Sequence, residues 1–227
     1  MNILAIESAA KSAGAAVLCG DVLRSEQFLN TGLTHSQTLL PLIDGALAGA
    51  GLTMADIDGV AVSAGPGSFT GVRIGMGTAK GLALGAGIPV FPVPTLAALA
   101  QNVVSYNGII VPMMDARREE VYTAVYRAED GVLTPVSPME AVALADLLQR
   151  LDTALFVGDG AEVHREKILR ALGTRAKFAP AHLMHHRASS VAQAAKTLSP
   201  VSPHEASPFY LRLSQAEREY IEKNGKE

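Results

Sequence analysis

The chain has 227 residues, 48% hydrophobic and 18% charged, enough to bury a core in one large domain or two small lobes and too apolar for disorder. A net charge of −3 argues against autonomous, charge-driven binding to nucleic acid, and a single cysteine, Cys19, excludes an internal disulfide. The N-terminus turns acidic at Glu7, too early for a signal peptide, and no apolar run approaches the ~20 residues of a membrane span, so a soluble intracellular protein is expected.

In chain order, residues 2–6 and 13–19 read as strands, and 22–29 as a third after the Gly20-Asp21 turn. Thr34-His-Ser-Gln37 has the form of a capping box and opens a helix over 34–50, with Leu39, Ile43, Ala46 and Leu47 at helical spacing and Gly51 as its stop. Pro41 is expected to bend that helix or fix its start. A buried strand over 57–63 leads through a glycine turn into a helix over 69–84. A short strand over 89–92 and a helix over 95–104, capped by Thr95, complete the first half. Strands are then expected at 109–114, 121–126, 132–135 and 154–157, with helices at 141–151 and 161–172. Residues 199–208 carry three prolines and read as a linker. A tail helix follows, with Ser214 and Glu217 as its capping box and Glu219–Lys223 as an i,i+4 pair. Two α/β lobes of similar plan result, the second beginning near Gly108.

The run Gly65-Pro-Gly-Ser-Phe-Thr-Gly-Val-Arg-Ile-Gly75 carries most of the information. A strand, a glycine turn and a helix start form the arrangement that cradles phosphates on backbone N–H groups. The lysine of a P-loop is missing, and Thr70 stands where the dinucleotide fingerprint needs its third glycine. Ser68 and Thr70 remain available as anion donors. Within the helix, Gly71 and Gly75 form one four-residue step, and Gly77, Gly81 and Gly85 another. Each internal glycine costs roughly 1 kcal/mol against alanine, so both rows need a reason. One row is expected to pack on the chain's own sheet, the other to meet a partner.

Charge is uneven: residues 1–100 hold four Lys/Arg and six Asp/Glu, the remainder fifteen and sixteen. So sparse a half hides its surface in a core or against a partner. Asp115-Ala-Arg-Arg-Glu-Glu-Val-Tyr122 reads either as a solvated hairpin or as an acid beside arginines at an interlobe cleft. His182, His185 and His186 fall at i, i+3 and i+4, but no acidic residue accompanies them, so a solvated basic patch is expected rather than a metal site. Cys19 reads as core.

Leu4-Ala-Ile-Glu7-Ser8, the Gly65–Gly75 motif, Asp115-Ala-Arg with Glu120-Val-Tyr122, and Pro208-Phe-Tyr-Leu-Arg212 together resemble the TsaB (YeaZ) family, over nearly the whole chain. The resemblance implies a two-lobed α/β fold of the actin/Hsp70/sugar-kinase (ASKHA) superfamily, in a degenerate glycoprotease-like form. It divides the chain into an N-terminal lobe over 1–107, completed by a tail helix over 209–227, and a smaller α/β lobe over 108–208. It implies a non-catalytic subunit that binds TsaD, the catalytic relative that transfers a threonylcarbamoyl group to adenosine beside the tRNA anticodon. The catalytic relatives carry a His-x-x-x-His metal pair on the first helix; here His35 is followed at that spacing by Leu39. The family's Asp-Thr-Ala before the second strand is replaced by Glu7-Ser-Ala-Ala, a further departure from nucleotide binding.

By this resemblance the first two helices pack against the partner's equivalent pair. The expected interface is His35, Leu39, Leu42, Ile43 and Ala46 with Val72, Arg73, Gly75, Met76, Ala79 and Lys80. A charge placed at Gly75 or Leu39 is expected to break the pair without unfolding the chain. Ser8, Gly67, Ser68, Thr70, Asp115, Gly158 and Gly160 are the residues of a vestigial anion or nucleotide loop. No catalytic residue, metal or cofactor of its own is expected. ATP, Mg²⁺ and a metal belong to partners: a TsaD-like catalytic subunit and a TsaE-like ATPase. A homodimer forms when the chain is alone, tRNA is met only through the complex, and no membrane is involved. The rival reading is a stand-alone ASKHA-type kinase or glycoprotease-like metalloenzyme using Ser8, Ser68, Asp115 and Gly158-Asp159-Gly160.

Overall fold

Ile3, Leu4, Ala5 and Ile6 are all buried, yet successive side chains of a strand point to opposite sides, so their sheet is covered on both faces. The computed structural model describes residues 1–212. The first run comprises β1 (Asn2–Glu7), β2 (Ala13–Cys19), β3 (Val22–Leu29), α1 (His35–Ala50), β4 (Gly59–Gly65), α2 (Phe69–Ala86), β5 (Val90–Pro94) and α3 (Thr95–Gln101). The second comprises β6 (Gly108–Asp115), β7 (Glu120–Thr123), β8 (Tyr126–Glu129), β9 (Val132–Pro135), β10 (Glu140–Ala143) and α4 (Leu144–Gln149). It continues with β11 (Ala154–Val157), α5 (Asp159–Val163), α6 (Arg165–Leu172), β12 (Ala176–Phe178) and α7 (Ala188–Ala195).

The first sheet has the order β3-β2-β1-β4-β5, antiparallel through β1 and parallel beyond it. Leu4 and Ile6, with Val17, Val60 and Val62, face α1 and α2 and pack on Leu39, Ile43, Met76 and Ala79. Ile3 and Ala5, with Ala16, Phe91 and Val93, face α3 and α7 and pack on Ala98, Val191 and Ala195. Burying one such large aliphatic side chain stabilises by about 1.5–3 kcal/mol, which offsets the weak helix propensity of the glycine-rich α2. The second sheet runs β10-β7-β6-β11-β12, with β8 and β9 branching from β6.

Several expected elements change under tertiary pairing. The helix expected over 141–151 yields its start to β10, because Ala141 and Val142 pair with Tyr122 and Val121 along the free edge of β7. The strand expected over 121–126 divides at Val125, whose carbonyl accepts the N–H groups of Val136 and Ser137. The helix expected over 161–172 breaks at His164, which adopts φ −101° and ψ 12°. Thr34 gives no side-chain cap to α1; its carbonyl accepts the N–H groups of Gln37 and Thr38 instead. Thr95 is not a cap either: its Oγ1 accepts the Gly65 N–H at 3.0 Å.

α7 packs on the first sheet beside α3, although it lies within 108–208, so the expected second lobe loses this segment to the first. Its signal was in the sequence: Ala188, Val191, Ala192 and Ala195 recur at helical spacing. The proline-rich stretch is pinned, not free. Val201 pairs with Val90 through hydrogen bonds of 2.8 and 3.0 Å, and Ala206 is buried. The histidine patch is also corrected. His182 is exposed on a 3-10 turn, whereas His186 is buried and burial pushes it down to about 3, so it is neutral. Residues 209–212 are not helical, and the expected tail-helix positions 213–227 lie outside the described residues. Among the described residues, no helix is long and apolar enough to cross a membrane.

Candidate functional site

Where the two sheets meet, a cleft of about 510 Å³ opens beside the N-terminus of α2. One wall is Ala9–Lys11 with Gly67, Ser68 and Thr70; the other is Asp115, Arg117, Tyr122 and Asp159. Ser68 caps α2, its Oγ accepting the Gly71 N–H at 3.3 Å. The expected loop residues divide. Gly67, Ser68, Thr70 and Asp115 line the cleft, while Ser8, Gly158 and Gly160 do not. Ser8 is fully buried and its hydroxyl donates to the Gly71 carbonyl at 2.9 Å, so it is spent on holding α2 to β1. Gly158 and Gly160 are packing glycines: a Cβ on either would strike the β6 backbone, at 2.1 Å from the Met113 carbonyl in the first case.

Burial pushes up two acids in this region, Glu7 and Asp159. Glu7, which ends β1, is fully buried; desolvation pushes its carboxyl up to about 7, against hydrogen bonds from the Ser63 hydroxyl and the Ala9 and Ser8 N–H groups. Asp159 is pushed up to about 6 by burial and then by the charge of Asp115, and its Oδ1 has no hydrogen-bond partner. Asp115 accepts the Arg117 N–H at 3.0 Å and stands 3.8 Å from His164 Nε2. Of the two readings of 115–122, the acid at an interlobe cleft is the one observed. Among the described residues no three His, Cys, Asp or Glu side chains converge as a metal cluster. His35 Nε2 lies 2.8 Å from the Ala10 carbonyl, while Leu39 is 1% exposed in the core.

The second candidate surface is the outer side of α1 and α2, and here the expected residues need correction. Leu39, Leu42, Ile43, Ala46, Val72, Met76 and Ala79 are buried inside the chain and offer nothing to a partner. Gly75 is equally internal: a Cβ there would meet Ser8 Oγ at 2.2 Å, and one on Gly71 would meet the Ser8 carbonyl at 2.1 Å. A charge at Gly75 or Leu39 would therefore attack the fold itself. Lys80 Nζ donates to the Ala206 carbonyl at 2.9 Å, and Arg73 Nε to the Tyr210 hydroxyl at 2.9 Å, so both engage the chain's own later segment.

What faces outward is the other row. Gly77, Gly81 and Gly85 are exposed, and a Cβ on each would meet no atom within 4 Å. Exposed Leu84 lies on the same helix, exposed Leu40 lies on α1, and exposed Leu33 lies just before it. Three glycines in an exposed helix cost about 3 kcal/mol relative to alanine, with no internal packing in return. A smooth, apolar-flanked groove of this kind admits the close approach of another backbone. The spacing of Leu39 and Ile43 is that of the core stripe, so the residues that the resemblance placed at the interface lie on the inward face.

Two α/β lobes around a cleft, with helices on both faces of the first sheet, make an ASKHA-like fold. The same fold occurs, at 10% identity and a TM-score of 0.51, in component A of (R)-2-hydroxyglutaryl-CoA dehydratase from Acidaminococcus fermentans, over 91% of this chain and 99% of that one. Residues 30–227 match the family described as TsaD: tRNA N6-adenosine threonylcarbamoyltransferase. The tRNA threonylcarbamoyladenosine biosynthesis protein TsaB of Bacillus subtilis is 36% identical over 226 residues, 98% of this chain and 99% of that protein. YeaZ from Pseudomonas aeruginosa superposes with a TM-score of 0.76 at 27% identity, covering 92% of this chain and 99% of that one. The chain belongs to the TsaB (YeaZ) family.

Proposed function

We propose that this protein is an accessory subunit in the biosynthesis of threonylcarbamoyladenosine in tRNA, binding a TsaD-like catalytic subunit through the outer face of α1 and α2. The observation that carries this reading is the open row Gly77, Gly81 and Gly85 beside exposed Leu84. In this reading catalysis, the metal and ATP with Mg²⁺ belong to the partners. The TsaD-like subunit transfers the threonylcarbamoyl group to N6 of the adenosine, and a TsaE-like ATPase joins the assembly. The same face supports a homodimer when the partner is absent. tRNA is met through the complex, in the cytoplasm. The engaged state of Ser8 supports a non-catalytic role, because a hydroxyl expected at a nucleotide is spent on the fold.

The test mixes the chain with a TsaD-like subunit and measures tRNA modification with and without it. An unchanged rate without the chain overturns the proposal. Gly81→Arg, at an open position, separates surface from fold: it is expected to weaken association by about tenfold or more while leaving thermal unfolding of the isolated chain within a few degrees of the parent. The rival enzyme reading draws on Asp115 and Asp159 in the cleft, and calorimetry with ATP and Mg²⁺ on the isolated chain discriminates it.

A further inference from the structure

The motif Pro208-Phe-Tyr-Leu-Arg212 plays no part in the partner surface, yet its residues make an unusual set of contacts. The Phe209 N–H donates to the Ala64 carbonyl at 2.6 Å, which brings the segment against the end of β4. The approach is so close that a Cβ on Gly65, at φ 119°, would lie 2.0 Å from the Phe209 carbonyl oxygen. One residue on, Tyr210 packs against Phe69 with ring centroids 4.9 Å apart. Arg73 lies 3.7 Å over the Phe69 ring and donates to the Tyr210 hydroxyl at 2.9 Å, joining all three. Two residues further the chain reaches the other sheet. Arg212 pairs with Glu120 of β7 at 2.6 Å, with its side chain only 18% exposed, and lies over the Tyr122 ring. Between these anchors Tyr210, Leu211 and Arg212 form part of the cleft lining, facing Ser68 and Asp115.

We propose that residues 209–212 are a latch that holds the two sheets closed over the cleft, fastened at Phe69 and Arg73 on one side and at Glu120 and Tyr122 on the other. The latch sets how far the lobes open. A cation, an aromatic stack and a partly buried ion pair are contacts that release one at a time, unlike the continuous apolar core that joins Val72, Leu96 and Leu99 to Ile110 and Met113. Release of Arg212 detaches the segment from β7 beside the 115–119 loop; release of Tyr210 detaches it from the N-terminus of α2. The proposal is independent of the partner reading, since it concerns the isolated chain.

Hydrogen exchange on the full chain tests it. In Arg212→Glu, which sets two carboxylates against each other, amides in 66–71 and 115–122 are expected to exchange about fivefold faster, while β1 amides keep their protection. The swapped pair Arg212→Glu with Glu120→Arg is expected to restore parental rates at both segments. Tyr210→Phe keeps the ring stack and loses the acceptor of Arg73, so only 66–71 should accelerate. Unchanged exchange in Arg212→Glu overturns the latch, as does failure of the swapped pair to restore it. Equal acceleration in β1 overturns it too, because the segment would then be supporting the fold as a whole.

Discussion

α2 carries two rows of glycine on one helix, and they do opposite things. Gly71 and Gly75 are buried where the helix crosses the end of β1, so close to Ser8 that no side chain fits. Gly77, Gly81 and Gly85 look out on open space and are tolerated, not required, by the chain's own packing. The same residue type at the same four-residue step thus marks an internal contact in one place and a free surface in the other. Identity and spacing announce that something approaches the helix; the neighbouring atoms decide whether it is self or partner.

The largest effect should come from filling the inner row. Gly71→Ala is expected to destabilise by about 2–3 kcal/mol, since the new methyl meets the Ser8 carbonyl and backbone cannot yield as a side chain would. Gly81→Ala should do the reverse, stabilising the isolated chain by about 0.5–1 kcal/mol by helix propensity. Urea unfolding of the two variants checks the pair, and equal signs would break the contrast between the rows.

Close behind is the carboxyl beneath the inner row. Glu7 is raised from 4.5 to about 7, so the folded chain holds a proton that the unfolded chain releases in that window. Its contribution is intact below about pH 4.5 and falls as pH rises towards 7, by about 3 kcal/mol in total. Glu7→Gln is expected to flatten the stability profile between pH 5 and 7, measured as urea midpoints at several pH values. A parallel profile would show that burial of Glu7 is relieved in solution.

The outer row gives a sharper and smaller signal in the monomer. Gly81→Arg should weaken association with a TsaD-like subunit by about tenfold or more, the loss of one well-packed interface position, and sedimentation would read it. Gly85→Arg, nearer the helix end, should cost less. The smallest expected effect is on nucleotide: calorimetry with ATP and Mg²⁺ should show no micromolar binding. Micromolar binding with turnover would favour the enzyme reading.

Much of the fold was legible. The bounds of β2, β3, β9 and β11 follow from apolar runs between turn residues, and α1 ends at the expected Gly51; α2 runs past its expected end at 84 to stop at Gly87, both glycines at φ 69°. β10 was not legible, because Ala141 and Val142 suit a helix and become a strand only beside β7. His186 was misread for a similar reason, since a histidine among histidines gives no sign of its burial. Of the cleft, Ser68, Thr70 and Asp115 were readable as polar groups at element ends. Asp159 enters only with the rival enzyme reading, and Lys11 and the pair Tyr210 and Arg212 come from two distant stretches that only chain topology brings to the cleft.

By itself, then, the amino-acid sequence determined the two-lobed α/β plan, the family, and the fact that α2 must be approached closely along two lines. Those are properties of local periodicity and residue type. Tertiary structure alone decided which line faces inward, that Arg73 and Lys80 hold the chain's own later segment, and that the stripe from Leu39 to Ala46 is core. The reason is geometric: a helix shows the same pattern of small and apolar residues to its own sheet as to a partner's helix, and only the placement of β1 beneath one side breaks the symmetry.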